Sequence, residues 1–333
     1  MFARHVPPAV LALALVVVAC SSSGASTPPP GASAAPSTWP SGAACATAPE
    51  PTDSSAWGPP ASTPALIPVL VTNAVPCGKG RILMLYLDSA NRVMSAPDRT
   101  VKVAFYDLGR DPDEVVSTAD GAFAWTIEDE RGMYVLDVDL PEAGTWGAEF
   151  TTEAPGSPAE TVRLTFPVRA EVPTVRVGEA APPSKTPTAA DVGGDLSKIS
   201  TDASPDPVFY ETSVADALAA RKPFMLVFAT PKFCASAQCG PTLDQIKPVA
   251  AAHPEVTFIN VEPYQLRVVD GVLQPLLDAN NQLQATESTD EWGLLSEPWI
   301  FAVDRNGIVQ GSYEVTITPA ELEAILPVIT AGA

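Results

Sequence analysis

F-C-A-S-A-Q-C-G-P, Phe233 to Pro241, joins an apolar run to a helical pattern. The run before it, P-F-M-L-V-F-A-T from Pro223 to Thr230, has the length and the aromatic and β-branched character of a buried strand. After it, Leu243, Ile246 and Val249 recur at helical spacing, so a helix begins near Cys239–Thr242. Four residues, Ala235 to Gln238, separate the two cysteines. On an unbroken helix, residues five apart point in different directions and cannot bridge. The segment is therefore expected to be a loop, with at most Cys239 in or beside the first helical turn. Free N–H groups and the helix dipole at such a place lower a thiol's pKa and make it a better nucleophile.

The flanks extend the pattern. Ser213–Ala220 reads as a short helix and Val256–Val261 as a strand, followed by an irregular polar insertion from Glu262 to Asp290. Trp299–Val303 and Ile308–Tyr313 read as two strands joined by the turn D-R-N-G. Thr318-Pro319, a capping residue and a proline at the first helical position, opens a closing helix. This order, β-α-β then hairpin then helix, resembles a thioredoxin core from roughly Asp206 to Thr330. The segment E-W-G-L-L-S-E-P-W-I-F-A-V-D-R-N-G, Glu291 to Gly307, is similar to the thioredoxin stretch with an aromatic-Gly pair, a proline and a strand-turn-strand. The resemblance implies an α/β domain over residues 207–333 and a thiol–disulfide oxidoreductase activity. It also implies that Pro298 is a cis-proline facing the cysteines, since cis bonds are essentially confined to X-Pro.

The spacing departs from that family, which places two residues between its cysteines. Two registers follow. Counted from the strand end, Phe233-Cys234 falls where thioredoxins have Trp and the attacking cysteine, so that Cys239 resolves. Counted from C-G-P, Cys239 takes the attacking place and Thr242 replaces the resolving thiol. Both remain open, with the first preferred. Lys232, just before the pair, either favours a thiolate or is a solvated loop residue. The bland alternative for Cys234 and Cys239 is a permanent staple, worth about 2 kcal/mol for so small a loop on the chain-entropy model. Thioredoxin-fold copper lipoproteins use three intervening residues and a histidine near the late hairpin; here no histidine follows His253. His253 precedes Pro254 at a helix end, which suits a capping role. No metal or cofactor is expected.

Upstream, residues 65–169 alternate with period two. Val101, Val103 and Phe105 share one face of a strand, as do Phe123, Trp125 and Ile127. Tyr134-Leu136-Val138, Trp146-Ala148-Phe150 and Val162-Leu164-Phe166-Val168 continue the pattern; Val69–Val71 and the apolar run Ile82–Leu87 precede it. About seven strands broken by Gly, Pro, Asp and Asn turns indicate an all-β antiparallel sandwich. The stretch from Gly132 to Gly147 resembles the late hairpin of immunoglobulin-like envelope domains. The expected architecture is therefore multi-domain: an immunoglobulin-like sandwich followed by a thioredoxin-like domain, joined by a linker over residues 170–206.

The first residues carry an address. Arg4 and His5 precede an apolar run from Ala9 to Ala19, too short to span a bilayer and suited to a signal peptide, residues 1–19. Val17-Val18-Ala19-Cys20 resembles a lipobox, which implies a lipid anchor on Cys20 and a place on the extracytoplasmic face of the cell membrane. Two or three acyl chains hold where one is marginal. Residues 20–64, rich in Ser, Pro, Ala and Thr, read as a disordered spacer. The four remaining cysteines pair naturally as Cys45 with Cys77 and Cys234 with Cys239. With 19 basic against 39 acidic residues, a net charge of -20 argues against nucleic acid as a partner. Envelope proteins exchanging thiols or disulfides are the expected partners. The rival expectation is a non-catalytic surface binding protein whose disulfides are structural.

Overall fold

Ile82-Leu83-Met84-Leu85-Tyr86-Leu87 is apolar on both faces, and the computed structural model, which describes residues 45–58, 60 and 62–331, covers it on both. Cys20 and the signal segment lie outside the described residues. The chain is mostly β, 37% strand against 18% helix. The first strands are β1 (Ile67–Leu70), β2 (Val75–Pro76), β3 (Gly78–Leu87), β4 (Thr100–Asp107) and β5 (Ser117–Asp120), then β6 (Ala122–Ile127), β7 (Arg131–Leu140), β8 (Gly144–Ala154) and β9 (Ser157–Arg169). They form two sheets, ordered β1-β3-β7-β6 and β2-β9-β8-β4-β5. Only β2 beside β9 is parallel. The short edges β2 and β5 add to the seven strands expected: Val75–Pro76 is two residues long, and S-T-A-D of β5 carries no apolar alternation.

Inward residues of both sheets make one core. Ile82, Met84 and Tyr86 of β3 and Leu136 and Val138 of β7 meet Phe105, Trp146 and Phe150. The outward residues Leu83, Met133 and Val135 form a second cluster with Ala124 and with Val315, far along the chain. Of the expected spacer, residues 20–64, positions 20–44, 59 and 61 lie outside the described residues, and the described remainder docks in part. Cys45 is bonded to the fully buried Cys77, with Cα atoms 6.3 Å apart. That bond closes a loop worth about 3–4 kcal/mol on the chain-entropy model. Ala48 N–H donates to Ala143 O at 2.8 Å, and the buried Trp57 ring fills the space over Gly147, where a Cβ would come within 2.5 Å of it.

The later elements are α1 (Val214–Ala219), β10 (Phe224–Phe228), α2 (Cys239–Ala252), β11 (Thr257–Val261), β12 (Leu266–Val269) and β13 (Val272–Pro275), then α3 (Glu287–Glu291), β14 (Trp299–Val303), β15 (Val309–Glu314) and α4 (Pro319–Thr330). One sheet runs β11-β10-β14-β15, with β10 parallel to β11 and the other pairs antiparallel. Every residue of β10 and of β14 is buried, which explains their unbroken apolar runs. Leu243 and Ile246 of α2 and Leu322, Ile325 and Ile329 of α4 cover one face; Val214 and Ala217 of α1, with Trp292, cover the other. The insertion after β11 is more regular than its polar sequence suggested, because β12 and β13 pair as a hairpin.

Residues 170–206 are not a free linker. Val175 N–H donates to Trp292 O, Ala181 N–H to Gly307 O and Ala189 N–H to Tyr210 O, at 3.2, 2.8 and 2.8 Å. The strap also meets the start of β15, where Ala180 bridges Ile308 and Gly178 N–H donates to Val309 O at 2.8 Å.

Arg81 of β3 joins the early sheets to the later one. Its Nε and Nη2 donate to both carboxylate oxygens of Glu321, at 2.6 and 3.1 Å, while Nη1 and Nη2 also donate to the carbonyls of Glu314 and Thr316. Glu321 simultaneously completes the capping box of α4 with Thr318. A bidentate pair this shielded from water is among the stronger ion pairs. Arg81→Ala is expected to lower unfolding free energy by about 2–3 kcal/mol, since Glu321 loses its partner in a low-dielectric setting. Urea unfolding measures it; a loss under 0.5 kcal/mol would mean the pair is effectively solvated.

Candidate functional site

The strand β10 ends at Phe228, and the chain turns through Thr230 and Phe233 before Cys234. Helix α2 begins at Cys239, so Cys234 lies outside the helix and Cys239 is its first residue. The pair is bonded, with Cα atoms 6.0 Å apart. Cys239 is fully buried against Leu243 and Ile246, whereas Cys234 is partly exposed. Cys239 N–H points at Cys234 Sγ, 3.2 Å away. This is one of the four helix-start donors that have no partner within the helix.

The loop between the cysteines is held from several directions. Ala237 sits in the left-handed region at φ 60°, which bends the chain back toward the helix start. Ser236 Oγ is 3.3 Å from Cys234 Sγ and donates to Glu297 O at 3.1 Å. Ala235 N–H donates to Glu297 Oε1 at 3.0 Å, and Gln238 N–H to Ser236 Oγ at 3.3 Å. The Glu297–Pro298 bond is cis, and Glu297 itself is buried. Glu297 therefore meets the loop through both its main chain and its side chain. Its Oε2 accepts from Tyr264 OH, and burial together with this acidic partner pushes the Tyr264 phenol well above its ordinary pKa.

Two further polar groups border the site. Lys232 Nζ lies 5.5 Å from the Phe233 ring centroid and donates to Leu273 O at 3.4 Å. Glu262, just past β11, is 8% exposed; its Oε1 accepts from Thr201 N–H at 2.6 Å, and its Oε2 has no hydrogen-bond partner among the described residues. Thr201 Oγ1 in turn accepts the N–H of Lys232. Burial pushes the Glu262 carboxyl above its ordinary value.

Of the residues singled out from sequence, Cys234, Cys239 and Pro298 fall in one place. Cys45 and Cys77 form the other bond, and His253 lies at the opposite end of α2, paired with Glu255 at 2.9 Å. Sequence reasoning missed Ser236, Tyr264, Glu262, Glu297 and Arg131, whose Nη1 donates to Ser236 O at 3.2 Å from the early sheets. The only signal for Glu297 was its position before Pro298; Arg131 gave none.

No protein-family model matches the sequence, and no curated protein matches it. Among solved structures the chain is similar to a DUF4426 family protein from Pseudomonas aeruginosa, at 15% identity over 28% of this chain and 68% of that one, with a TM-score of 0.21. It is also similar to MtrC from Shewanella baltica, at 9% identity over 34% of this chain and 24% of that one, with a TM-score of 0.23. The chain thus spans about a quarter of that MtrC structure. Neither likeness says what this chain does.

The raised carboxyl of Glu262 sets a direction for stability against pH. An acid whose folded pKa lies above its unfolded one contributes fully below the unfolded value, and that contribution fades as pH rises through the folded value. Glu262→Gln keeps an oxygen for Thr201 N–H and removes the titration. The variant is expected to melt several degrees higher than the parent at pH 7, with the gain gone below about pH 4. Equal melting temperatures at pH 7 would show that the carboxyl is effectively solvated.

Proposed function

We propose that this chain is a lipid-anchored extracytoplasmic protein whose thioredoxin-like later domain exchanges thiols and disulfides with envelope proteins through Cys234 and Cys239. The observation that carries the reading is the asymmetry of the pair. Cys234 is reachable and receives the N–H at the start of α2, while Cys239 is buried at 0% exposure. An attacking thiol needs access and a stabilised thiolate; a resolving thiol needs only to reach its neighbour. The asymmetry favours the register in which Cys234 attacks. The strand order β11-β10-β14-β15, the helix between β10 and β11, and the cis bond at Pro298 support the thioredoxin-like reading. The two packed antiparallel sheets upstream support an immunoglobulin-like one.

In the reduced protein the Cys234 thiolate attacks one sulfur of a substrate disulfide. A bond forms between the two sulfurs, the substrate S–S bond breaks, and the second substrate sulfur leaves as a thiolate that takes a proton from solvent. Cys239, having given its proton to solvent, then attacks Cys234 Sγ and closes the protein's own disulfide. The first substrate sulfur leaves. Two electrons have passed from the pair to the substrate. A substrate dithiol attacking the oxidised pair runs the same steps in reverse. Ser236 Oγ, 3.3 Å from Cys234 Sγ, can donate to the thiolate once it forms by turning its single proton away from Glu297 O.

The hold on residues 235–236 favours a second reading, a surface binding protein in which both disulfides are permanent. The midpoint potential of the Cys234–Cys239 pair separates the two. Exchange predicts a value between about -120 and -270 mV and, in Cys239→Ser, mixed disulfides captured by acid trapping. A potential below about -300 mV with no trapped species would establish the binding reading instead.

The anchor is tested apart from the chemistry. Replacing Cys20 by Ser is expected to move the protein from the membrane fraction to the soluble one, because the apolar run alone is too short to span. Retention of that variant in membranes would overturn the lipid anchor.

A further inference from the structure

We infer that Arg131, supplied by the early sheets, is a positioning residue for the Cys234 thiol: it holds Ser236 against the sulfur and sets a positive charge beside it. The inference rests on the exchange reading and adds the role of the β-rich part to it.

Arg131 opens β7, immediately after the acidic turn Glu128-Asp129-Glu130. Asp129 adopts φ 54°, which reverses the chain and starts β7. The packing of Met133, Val135 and Ala124 around Val315 fixes β6 and β7 against the later sheet. That contact delivers Arg131 Nη1 to Ser236 O at 3.2 Å. Ser236 is the residue whose hydroxyl lies 3.3 Å from Cys234 Sγ and anchors to Glu297 O. The guanidinium is thus bonded to the carbonyl of the very residue whose hydroxyl neighbours the sulfur. Two effects follow. The carbonyl is fixed, so the hydroxyl keeps its place. The charge, shielded on the loop side, attracts a thiolate.

The other charges around the sulfur act differently. Glu297, buried and hydrogen-bonded to Ala235 N–H, opposes a thiolate; Tyr264 is neutral there. Lys232 is exposed and turned toward Leu273 O. Glu128, Asp129 and Glu130 are exposed and screened by water. Arg131 is the partly buried cation that offsets Glu297.

The test uses the full chain carrying Cys239→Ser, so that Cys234 is a free thiol, with the pH titration of thiolate absorbance near 240 nm as the readout. Arg131→Ala is expected to raise the Cys234 pKa by about half a pH unit or more and to slow alkylation at pH 7 about threefold. Arg131→Lys keeps the charge and should restore most of both; Arg131→Gln, which keeps a donor but no charge, should behave as Ala. Should Ala fail to fold by circular dichroism, the Gln and Lys pair carries the comparison. An unchanged pKa in Ala or Gln, with or without a lower melting temperature, would reduce Arg131 to a structural contact and overturn the inference. Failure of the wild-type pair to exchange with glutathione would instead overturn the proposed function, while the thiol titration still reads the effect of Arg131.

Discussion

A strand that is apolar on both faces must be covered on both, and β3 imposes that requirement on the whole chain. Ile82, Met84 and Tyr86 satisfy one side inside the early sheets. Leu83, with Leu85 at its margin, turns the other side outward, where only a second apolar surface removes it from water. At roughly 25 cal/mol per Å² of buried apolar area, leaving such a face exposed costs more than a small sandwich can spare. Val315, just past the end of β15, supplies part of the cover, and several polar contacts also join the two sets of sheets. Arg81 forks onto Glu321 beside it, and Asn73 reaches Glu314, which Ser296 also holds. Arg131 reaches Ser236 from the same face. Hydrophobic area fixes that the two parts meet; the polar contacts fix how.

The strength of these contacts differs with their setting. Arg163–Glu149 and Arg110–Glu142 lie on the surface with one partner about half exposed, and pairs of that kind are worth little. Arg81–Glu321 is shielded at both ends, and its carboxylate also caps a helix. One glutamate therefore couples the stability of α4 to the attachment of the early sheets. The chain's large excess of acids makes such a site costly to build elsewhere, because 19 cations are shared among 39 carboxylates. Lys247 of α2 is similarly shielded, and it pairs with Asp202 at 2.8 Å and Asp244 at 2.9 Å.

Much of this was legible in the sequence, and the boundary of legibility is physical. Period two marked Val101–Phe105, whose outward Lys102 stays exposed; the unbroken runs at Phe224–Phe228 and Trp299–Val303 marked strands covered on both faces. The five-residue step from Cys234 to Cys239 placed the loop off the helix by geometry alone. The docking of Trp57 over Gly147 was not legible, because a Pro- and Ser-rich context hides a single anchoring ring. Nor was the ordering of residues 170–206, which combines local turns with hydrogen bonds to Trp292, Gly307 and Tyr210 far along the chain. Arg131 and Ser236 are 105 positions apart. No local pattern encodes such a pair; it exists only once β3 and Val315 have met.

The loop conformation follows from that same dependence. Ala237 occupies a region that an L-residue with a Cβ enters at a cost of about 1–2 kcal/mol. Gln238 is 1% exposed, with neither its amide oxygen nor its nitrogen hydrogen-bonded, a cost on the order of 1–3 kcal/mol for each unpaired group. Nothing in A-S-A-Q favours these choices locally, so the surroundings impose them: Glu297 through Ala235 and Ser236, Arg131 through Ser236, and the α2 core through Cys239. A disulfide loop held by its neighbours rather than by its own sequence has its chemistry set by those neighbours. Through Arg131 the β-rich part of the chain takes a direct hand in holding that loop.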